Sequence, residues 1–157
     1  METTDLLVLN FEEIRRRSIK IWKEIPHDLL DWKPDAEAMS FREMIHHVLA
    51  SEHGYGEVLK NRGTVHEGED PYEGRIFLSV ASALEFAKPY REKFMKLVKS
   101  YKEEELTDIM IDRTEDAGYI RPLGDMLLRI GYHEAVHAGQ MLDYMRTVQI
   151  RRPDIWD

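Results

Sequence analysis

The chain has 157 residues, the length of one domain, and we expect a single domain over residues 1–157. Its 30 acidic and 22 basic side chains give a formal net charge of −8, which argues against nucleic acid as the main partner because phosphate binding needs clustered Lys and Arg. It lacks cysteine, a signal-peptide pattern and any run of about eighteen apolar residues, which excludes disulfides, predicts no membrane partner and fits a cytoplasmic protein.

The first predicted element is an amphipathic helix over residues 5–25. Its apolar positions recur at three- and four-residue steps, as on one face of a helix, and they are Leu6, Leu9, Ile14, Ile21 and Ile25. Pro26 and Pro34 then predict an irregular connection. The basic run Arg15-Arg16-Arg17 lies inside this helix, and we interpret it as a solvated helix face.

A second helix is predicted over residues 41–61, because Ser40 with Glu43 three residues later forms a capping box. The helix contains two adjacent histidines, and the helical period separates them. His47 falls on or near the apolar face, whereas His46 falls on the polar side. We therefore expect His47 to point inward and His46 to face solvent.

Two stretches are predicted to be loops. Residues 62–77 are rich in glycine and acidic residues, and a loop of this length is a candidate lid or rim of a site, or a plain connector. Residues 106–119 mix apolar and acidic side chains. We expect an irregular link there, with one short strand pair as the most regular structure it contains.

The third helix is predicted over residues 80–101, opened by Ser79 or Ser82. Ser82 with Glu85 matches a second capping box. Pro89 falls inside the predicted helix. A proline removes an intrahelical hydrogen bond, so a kink or a late helix start is expected there.

The fourth helix is predicted over residues 122–148, with Pro122 in its first turn. Six positions step by 4, 3, 4, 3 and 4 residues, as in a coiled-coil seam, and they are Met126, Ile130, His133, His137, Gln140 and Tyr144. Histidine therefore occupies positions where a bundle usually has Leu or Ile. Buried polar groups cost free energy unless they are paired or bound to a metal.

Two glycines flank the histidine pair of this helix. Gly131 and Gly139 each cost about 1 kcal/mol relative to alanine in a helix interior. The sequence leaves open three explanations for these glycines: close approach of another backbone, room for a ligand, or ordinary helix packing.

The spacing of His133 and His137 suits a metal ion. Residues four apart share one helix face with Cβ atoms roughly 5–6 Å apart, and imidazole nitrogens bind zinc at about 2.0–2.1 Å. With His47 from the second helix, three imidazoles would leave a coordination position open for water or substrate. The alternative is that these are core histidines satisfied by hydrogen bonds.

Residues 133–137 also spell His-Glu-x-x-His, the signature of zinc-dependent proteases. We reject that interpretation because the extended protease pattern has a Gly and a further His downstream at a spacing that this chain does not supply. Glu134 lies about 100° around the helix from His133, so we expect it to face solvent or a neighbouring helix.

Several blocks of the sequence resemble the DinB/YfiT-like family of metal-binding four-helix bundles: Trp32-Lys33-Pro34, Ser40 to Val48 with Glu52, and His133 to Gln140. The resemblance covers essentially the whole chain. It implies an all-α four-helix bundle in up-down-down-up order, often a homodimer. It also implies a divalent metal, commonly zinc or nickel, with His47, His133 and His137 as ligands.

Some members of that family are thiol-dependent S-transferases that use glutathione, mycothiol or bacillithiol, and others are metal-dependent hydrolases. We therefore expect a metal-dependent transferase that joins a low-molecular-weight thiol to a small electrophile. The alternatives are a hydrolase with a metal-bound hydroxide and a non-catalytic, stress-linked metal-binding bundle. A structural metal site prefers a fourth protein ligand. The sequence offers only Glu52 and Gln140 for that position, and neither is placed convincingly. The absence of a clear fourth ligand favours a catalytic site over a structural one.

Overall fold

The computed structural model describes residues 1–157, and four long helices form its framework. They are α1 (Thr3–Glu24), α2 (Phe41–Asn61), α3 (Val80–Ser100) and α6 (Leu123–Thr147). The shorter elements are a 3-10 helix at His27–Leu29, the one-turn helices α4 (Glu105–Asp108) and α5 (Thr114–Ala117), and strands β1 (Met110–Arg113) and β2 (Tyr119–Pro122). The predicted, mostly helical class is confirmed. No helix combines the length and the apolar character that crossing a membrane requires.

Capping residues determine where two of the long helices begin. The Ser40 side chain accepts a hydrogen bond from the Glu43 backbone N–H, and the Glu43 carboxylate accepts one from the Ser40 N–H, so the predicted capping box is confirmed. The box predicted at Ser82 and Glu85 is wrong. Ser79 caps α3 and pairs reciprocally with Ser82, because its hydroxyl reaches the free N–H of the third helical residue.

The prolines and the hairpin differ in detail from expectation. Helix α3 begins at Val80 and continues through Pro89, so the late start considered for it does not occur. Pro122 is the last residue of β2 and immediately precedes α6. The strand pair foreseen in the link from 106 to 119 exists as the antiparallel hairpin of β1 and β2, with Met110 opposite Pro122.

Side-chain contacts fix the relative directions of the long helices. The contacts between α2 and α3 include those of Glu52 with Arg91 and Gly56 with Phe94. The contacts between α1 and α6 are those of Arg15 with Glu134 and Asn10 with Gly131. In both pairs the residue numbers rise together, so the two helices of each pair run in the same direction. Helix α2 also packs along α6, and α1 along α3.

Two apolar clusters form the core, with buried charged side chains between them. The first includes Ile21, Trp22, Phe41, Met44, Leu49 and Met141. The second includes Leu7, Phe11, Val58, Leu59, Phe94 and Ile130. Arg15, Glu52 and Glu134 are buried, and along each helix they fall between members of the two clusters. A polar layer therefore crosses the middle of the bundle.

Candidate metal centre

Three histidines from two helices converge at the polar layer, and we call them the histidine cluster: His47 on α2, and His133 and His137 on α6. The Nε2 atom of His133 lies 3.0 Å from Nε2 of His47 and 3.1 Å from Nε2 of His137. Nitrogens bound to one ion at about 2.0–2.1 Å lie roughly 3 Å or slightly more apart. The cluster is therefore able to hold a metal ion.

Hydrogen bonds alone cannot satisfy this arrangement. The Nε2 atom of a neutral imidazole either donates one hydrogen or offers one lone pair. The Nε2 of His133 faces two other Nε2 atoms, so it can donate to one of them only, and the remaining contact lacks a proper partner. A cation between the three nitrogens would satisfy all three lone pairs at once. This geometry counts against the alternative of ordinary core histidines.

Gln140 fixes the orientation of one imidazole. Its Oε1 atom lies 2.7 Å from Nδ1 of His137, and since a carbonyl oxygen accepts, Nδ1 must donate. The lone pair of His137 then resides on Nε2, the atom that faces the cluster. A hydrogen bond of this kind on the far ring nitrogen commonly orients metal-binding histidines. Gln140 is thus a positioning residue and does not point at the cluster as a fourth ligand.

Burial favours the neutral form of two of the three imidazoles, those of His47 and His133. His137 is only 9% exposed, whereas His47 and His133 are half-buried. Loss of solvent, together with the neighbouring His137 and His47, lowers the pKa of His133 to about 4. Loss of solvent and the charge of His137 also lower the pKa of His47. Neutral imidazoles are the form that binds a metal.

His46 does not simply face solvent, as the helical period had suggested. It is partly buried, and its Nε2 atom lies 3.0 Å from the backbone oxygen of Tyr72. Its ring packs against Tyr72 and Phe77 from the loop that follows α2. The prediction was wrong because a period on one helix cannot reveal that a distant loop covers its polar side. His46 is nonetheless outside the histidine cluster.

Next to the histidine cluster lies a second polar group, which we call the charge network: Arg15, Glu52, Arg91 and Glu134. Arg15 donates to Glu134 from Nε at 2.7 Å and from Nη2 at 3.0 Å, and to Glu52 at 3.3 Å. Arg91 pairs with Glu52 and donates to the Phe11 carbonyl at 2.7 Å. Two guanidinium groups thus balance two carboxylates inside the bundle.

The charge network keeps Arg15 and Glu134 ionised. Burial opposes the charge of Arg15, but Glu134 and Glu52 outweigh it and raise the pKa of Arg15 above its ordinary value. Burial likewise opposes the charge of Glu134, yet the Arg15 charge and hydrogen bond lower the pKa of Glu134 below its ordinary value. Glu134 was expected to face either solvent or a neighbouring helix, and it faces α1, where it pairs with Arg15. Glu134 and Glu52 are engaged by arginines, so neither is free to act as a base or a fourth ligand.

Sequence reasoning missed Arg15, Arg91 and Tyr55. Arg15 had been interpreted as part of a solvated basic face, but its side chain is only 8% exposed. The signal was present, since Arg15 continues a buried seam that steps by 4, 4, 3 and 4 residues through Leu7, Phe11, Arg15, Ser18 and Trp22. Tyr55 packs edge-to-face on His133, with ring centroids 5.9 Å apart, and only the crossing of α2 and α6 brings these rings together.

An open cavity of about 650 Å³ lies against α2 near the histidine cluster, although none of the three histidines lines it. Its floor includes the small residues Ala50, Ser51 and Gly54, and Tyr55 forms part of its wall. Ser51 lies one helical turn beyond His47, and Tyr55 touches His133. Residues 65–70 line the opposite wall. Part of the loop after α2 therefore lines this cavity.

The lining of the cavity is predominantly acidic. Its carboxylates are Glu57, Glu67, Glu69, Asp70 and Asp116, while Arg113 is its single guanidinium group. Arg113 is itself paired with Asp116 at 2.5 Å. The electrostatic potential of the cavity is consequently negative, which favours neutral or cationic small molecules over anions.

Comparison with protein-family models gives a match to the DinB superfamily over residues 10–141. The protein YjoA of Bacillus subtilis (strain 168), which is uncharacterised, is 28% identical over 143 residues, covering 90% of this chain and 88% of YjoA.

Two solved structures share the fold. A DinB-like protein from Bacillus subtilis, YjoA, has a TM-score of 0.70 at 23% identity, with 96% of each chain covered. A DinB-like protein from Bacillus cereus ATCC 10987 has a TM-score of 0.74 at 14% identity, covering 96% of this chain and 95% of that protein. At these identities the two structures establish a common fold and carry no information on activity.

Proposed function

Since the chain belongs to the DinB superfamily, we propose that it is a metal-dependent enzyme whose divalent ion, zinc or nickel, is bound by His47, His133 and His137. The observation that carries this proposal is the convergence of three Nε2 atoms that hydrogen bonds cannot satisfy. The four long helices would then form the up-down-down-up bundle, supported by the shared directions of α1 with α6 and of α2 with α3.

The composition and exposure of the cluster favour catalysis over a structural role. Structural zinc sites are closed by four protein ligands, whereas catalytic sites have three and keep a position open. The cluster has three histidines, and both candidates for a fourth ligand have other partners, Glu52 with Arg91 and Gln140 with His137. Half-burial of His47 and His133 leaves the site accessible from outside.

The reaction that we propose is transfer of a thiol to a small electrophile. A bound ion would supply a Lewis acid that lowers the pKa of a thiol or a water molecule. The sulfur would form a new bond to the electrophilic carbon, and the leaving group would depart with its electron pair. In this scheme Gln140 orients His137, Tyr55 packs on His133, and the adjacent cavity holds the electrophile.

Hydrolysis is a second candidate, and the charge of the cavity favours it. The acidic lining repels a thiol with a net negative charge, glutathione among them, but does not affect a water molecule. If the electrophile is an ester or amide, an ion held by His47, His133 and His137 would supply the acidity that activates a water molecule, and no thiol would be required. A neutral or cationic thiol remains compatible with the transferase reaction.

The test has two parts, of which the first concerns the metal. We expect the zinc- or nickel-loaded wild type to contain one ion per chain by elemental analysis and to melt at a higher temperature than chelated protein. The double variant His133→Ala with His137→Ala should lose both properties. His27→Ala, which removes an exposed histidine elsewhere, is the matched control. If the double variant still held one ion per chain, the proposed site would not exist.

The second part separates the reactions. Metal-loaded protein is incubated with a generic haloarene electrophile and with cationic cysteamine, neutral 2-mercaptoethanol or anionic glutathione. Thioether formation that needs both the metal and the thiol supports the transferase. Cleavage of an ester substrate without thiol supports the hydrolase. Metal binding without either activity would overturn the enzymatic proposal and leave a non-catalytic metal-binding bundle.

A further inference from the structure

A groove of about 480 Å³ runs along α1 beside Arg91 of α3, and we call it the basic groove. Five of its seven lining residues are cationic and one is acidic: Arg15, Arg16, Lys20, Lys23 and Arg91, with Glu12. This is a local concentration of positive charge on a chain whose net charge is −8. The cavity near the histidine cluster, with its acidic lining, has the opposite character. The basic groove therefore favours an anion.

Three of these cations have hydrogen-bond donors that no group of the chain accepts. The Arg15 side chain is only 8% exposed, and it donates to the charge network from Nε and Nη2, whereas its Nη1 has no partner. Arg91 donates from its two Nη atoms to Glu52 and to the Phe11 carbonyl, which leaves its Nε without an acceptor. Lys23 is exposed and forms no ion pair. Because an unmade hydrogen bond of a buried group costs free energy, an acceptor in the groove would be stabilising.

The other two cations already hold an anion at the edge of the groove. The tail, residues 151–157, lies along α1, and the Asp157 carboxylate pairs with Arg16 at 3.2 Å and with Lys20. Lys20 and Arg16 lower the pKa of Asp157 to about 2. Glu13 binds the same Arg16 from within α1. A carboxylate from a distant part of the chain is thus bound by two side chains of the groove, as a tethered ligand would be.

We propose that the basic groove binds the phosphate group of a small phosphorylated molecule, and that Asp157 competes with this group for Arg16 and Lys20. A phosphate has three strong acceptor oxygens and close to two negative charges, which suits the three unpaired donors of Arg15, Arg91 and Lys23. Guanidinium groups match the geometry of phosphate oxygens, and an ammonium adds a point charge.

The size of the groove identifies the ligand as more than a free ion. Its volume of about 480 Å³ lies in the range of roughly 300–1,000 Å³ that is typical of small-molecule sites. A phosphate bound to the three donors would leave room for the molecule that carries it. None of the three histidines lines the groove, so the site does not depend on a metal ion.

Isothermal titration calorimetry of the full-length chain at constant ionic strength tests the proposal, with inorganic phosphate and glycerol 3-phosphate as probes. We expect one saturable site per chain for both probes, with glycerol 3-phosphate bound at least as tightly as inorganic phosphate. Metal-loaded and chelated protein should give the same dissociation constant. Binding that needs the metal would overturn the proposal, because the phosphate would then be a metal ligand. Binding of inorganic phosphate alone would also overturn it, since the ligand would be the free ion.

Charge variants on the surface of the groove locate the site. Glu12→Gln and Asp157→Asn each remove a competing carboxylate and should lower the dissociation constant by about threefold or more. A gain of affinity cannot result from misfolding. Lys23→Gln should raise the constant by about threefold or more, whereas Lys23→Arg keeps the charge and should stay near the wild type.

Lys102→Gln is the matched control, because it removes an exposed lysine that forms no ion pair and lies outside the groove. Its dissociation constant should stay within about twofold of the wild type. A loss equal to that of Lys23→Gln would overturn the proposal, since binding would then follow the net charge and not a site. So would the absence of saturable binding up to about 10 mM of either probe. An unchanged constant in Asp157→Asn would contradict the competition with the tail.

Discussion

Neighbouring residues of α6 belong to two different polar groups, and the groups satisfy their polar atoms in different ways. Glu134 belongs to the charge network, where two carboxylates meet two guanidinium groups and every charge has an opposite partner. His133 belongs to the histidine cluster, where three imidazole nitrogens face one another. Both groups lie in the polar layer between the two apolar clusters of the core.

The two groups therefore have different roles: the charge network is structural, and the histidine cluster is a candidate binding site. The charge network is complete within the chain, because its net charge is zero and its hydrogen bonds join α1, α2, α3 and α6. The histidine cluster is incomplete, because its Nε2 atoms have more neighbours than hydrogen bonds can serve. A polar group that the chain itself completes holds helices together. A group that needs an additional atom is a candidate site for a ligand.

The largest expected effect concerns the two adjacent histidines of α2. His47→Ala should abolish metal retention, because it removes one of three imidazoles. His46→Ala should leave one ion per chain, because His46 contacts the Tyr72 backbone and not the cluster. Elemental analysis after gel filtration measures both. Equal loss in the two variants would contradict His47 as the single metal ligand from α2.

The second prediction concerns the charge network. Glu134→Ala leaves the buried Arg15 without its closest carboxylate and should cost about 3–5 kcal/mol in the free energy of unfolding. Urea denaturation of chelated protein measures this loss. The double variant Arg15→Met with Glu134→Leu removes both charges and should cost much less, since Glu52 keeps Arg91 as its partner. Equal losses in the single and double variants would contradict the network as described.

The third prediction concerns Gln140, which belongs to the histidine cluster only through His137. Gln140→Ala removes the acceptor of the Nδ1–H and frees the imidazole to rotate or change tautomer, so metal affinity should fall about 10- to 100-fold. Competition with a chromophoric chelator measures the affinity. Gln140→Glu, which keeps an acceptor at the same position, should retain most of it. If Gln140→Ala bound the metal with wild-type affinity, Gln140 would not be needed to position His137.

The smallest expected effect is a pH dependence of the stability of the chelated protein. The pKa of His133 is about 4 in the folded chain and 6.5 ordinarily. Above pH 6.5 the residue is neutral in both states, so it does not affect stability. Between about 6.5 and 4 the unfolded chain binds a proton that the folded chain does not, so stability should fall as the pH falls. Half-burial of His133 moderates the size of the effect.

Melting curves of chelated protein at a series of pH values measure this dependence. His133→Ala should show a shallower fall of the melting temperature between about pH 6.5 and 4 than the wild type, because the contribution of His133 to that fall is removed. In metal-loaded protein the fall should be steeper, since protons then also displace the ion from its imidazoles. The same slope in the wild type and in His133→Ala would contradict a depressed His133 pKa.

Much of the fold could be predicted because the long helices are specified locally. Helix α2 has the predicted bounds, 41–61, since its capping box and its apolar period are both properties of consecutive residues. Helix α6 is found at Leu123–Thr147 against a prediction of 122–148. The start of α3 was left open between Ser79 and Ser82, and its capping box was assigned to Ser82 with Glu85. The folded chain instead uses Ser79 as the cap and pairs it with Ser82.

The histidine cluster was predictable for the same local reason, and the charge network was not. The spacing of His133 and His137 follows from one helix, and His47 follows from the apolar period of another. Arg15 and Arg91 are ordinary surface residues by type. Arg15 is buried and Arg91 half-buried here because Glu134 and Glu52 reach them from other helices. The helical period of α1 indicates that Arg15 faces inward, but no rule about neighbours in sequence identifies the partners of either arginine.

The sequence alone determined the four long helices, the helical spacing of the two α6 histidines and the inward position of His47, because caps and hydrophobic period act within one helix. Tertiary structure decided the rest. The crossing of α2 with α6 brought three imidazoles to a common point, the loop after α2 covered His46, and helix contacts turned Arg15 and Glu134 inward. These depend on distances between segments far apart in sequence, which only the packed chain fixes.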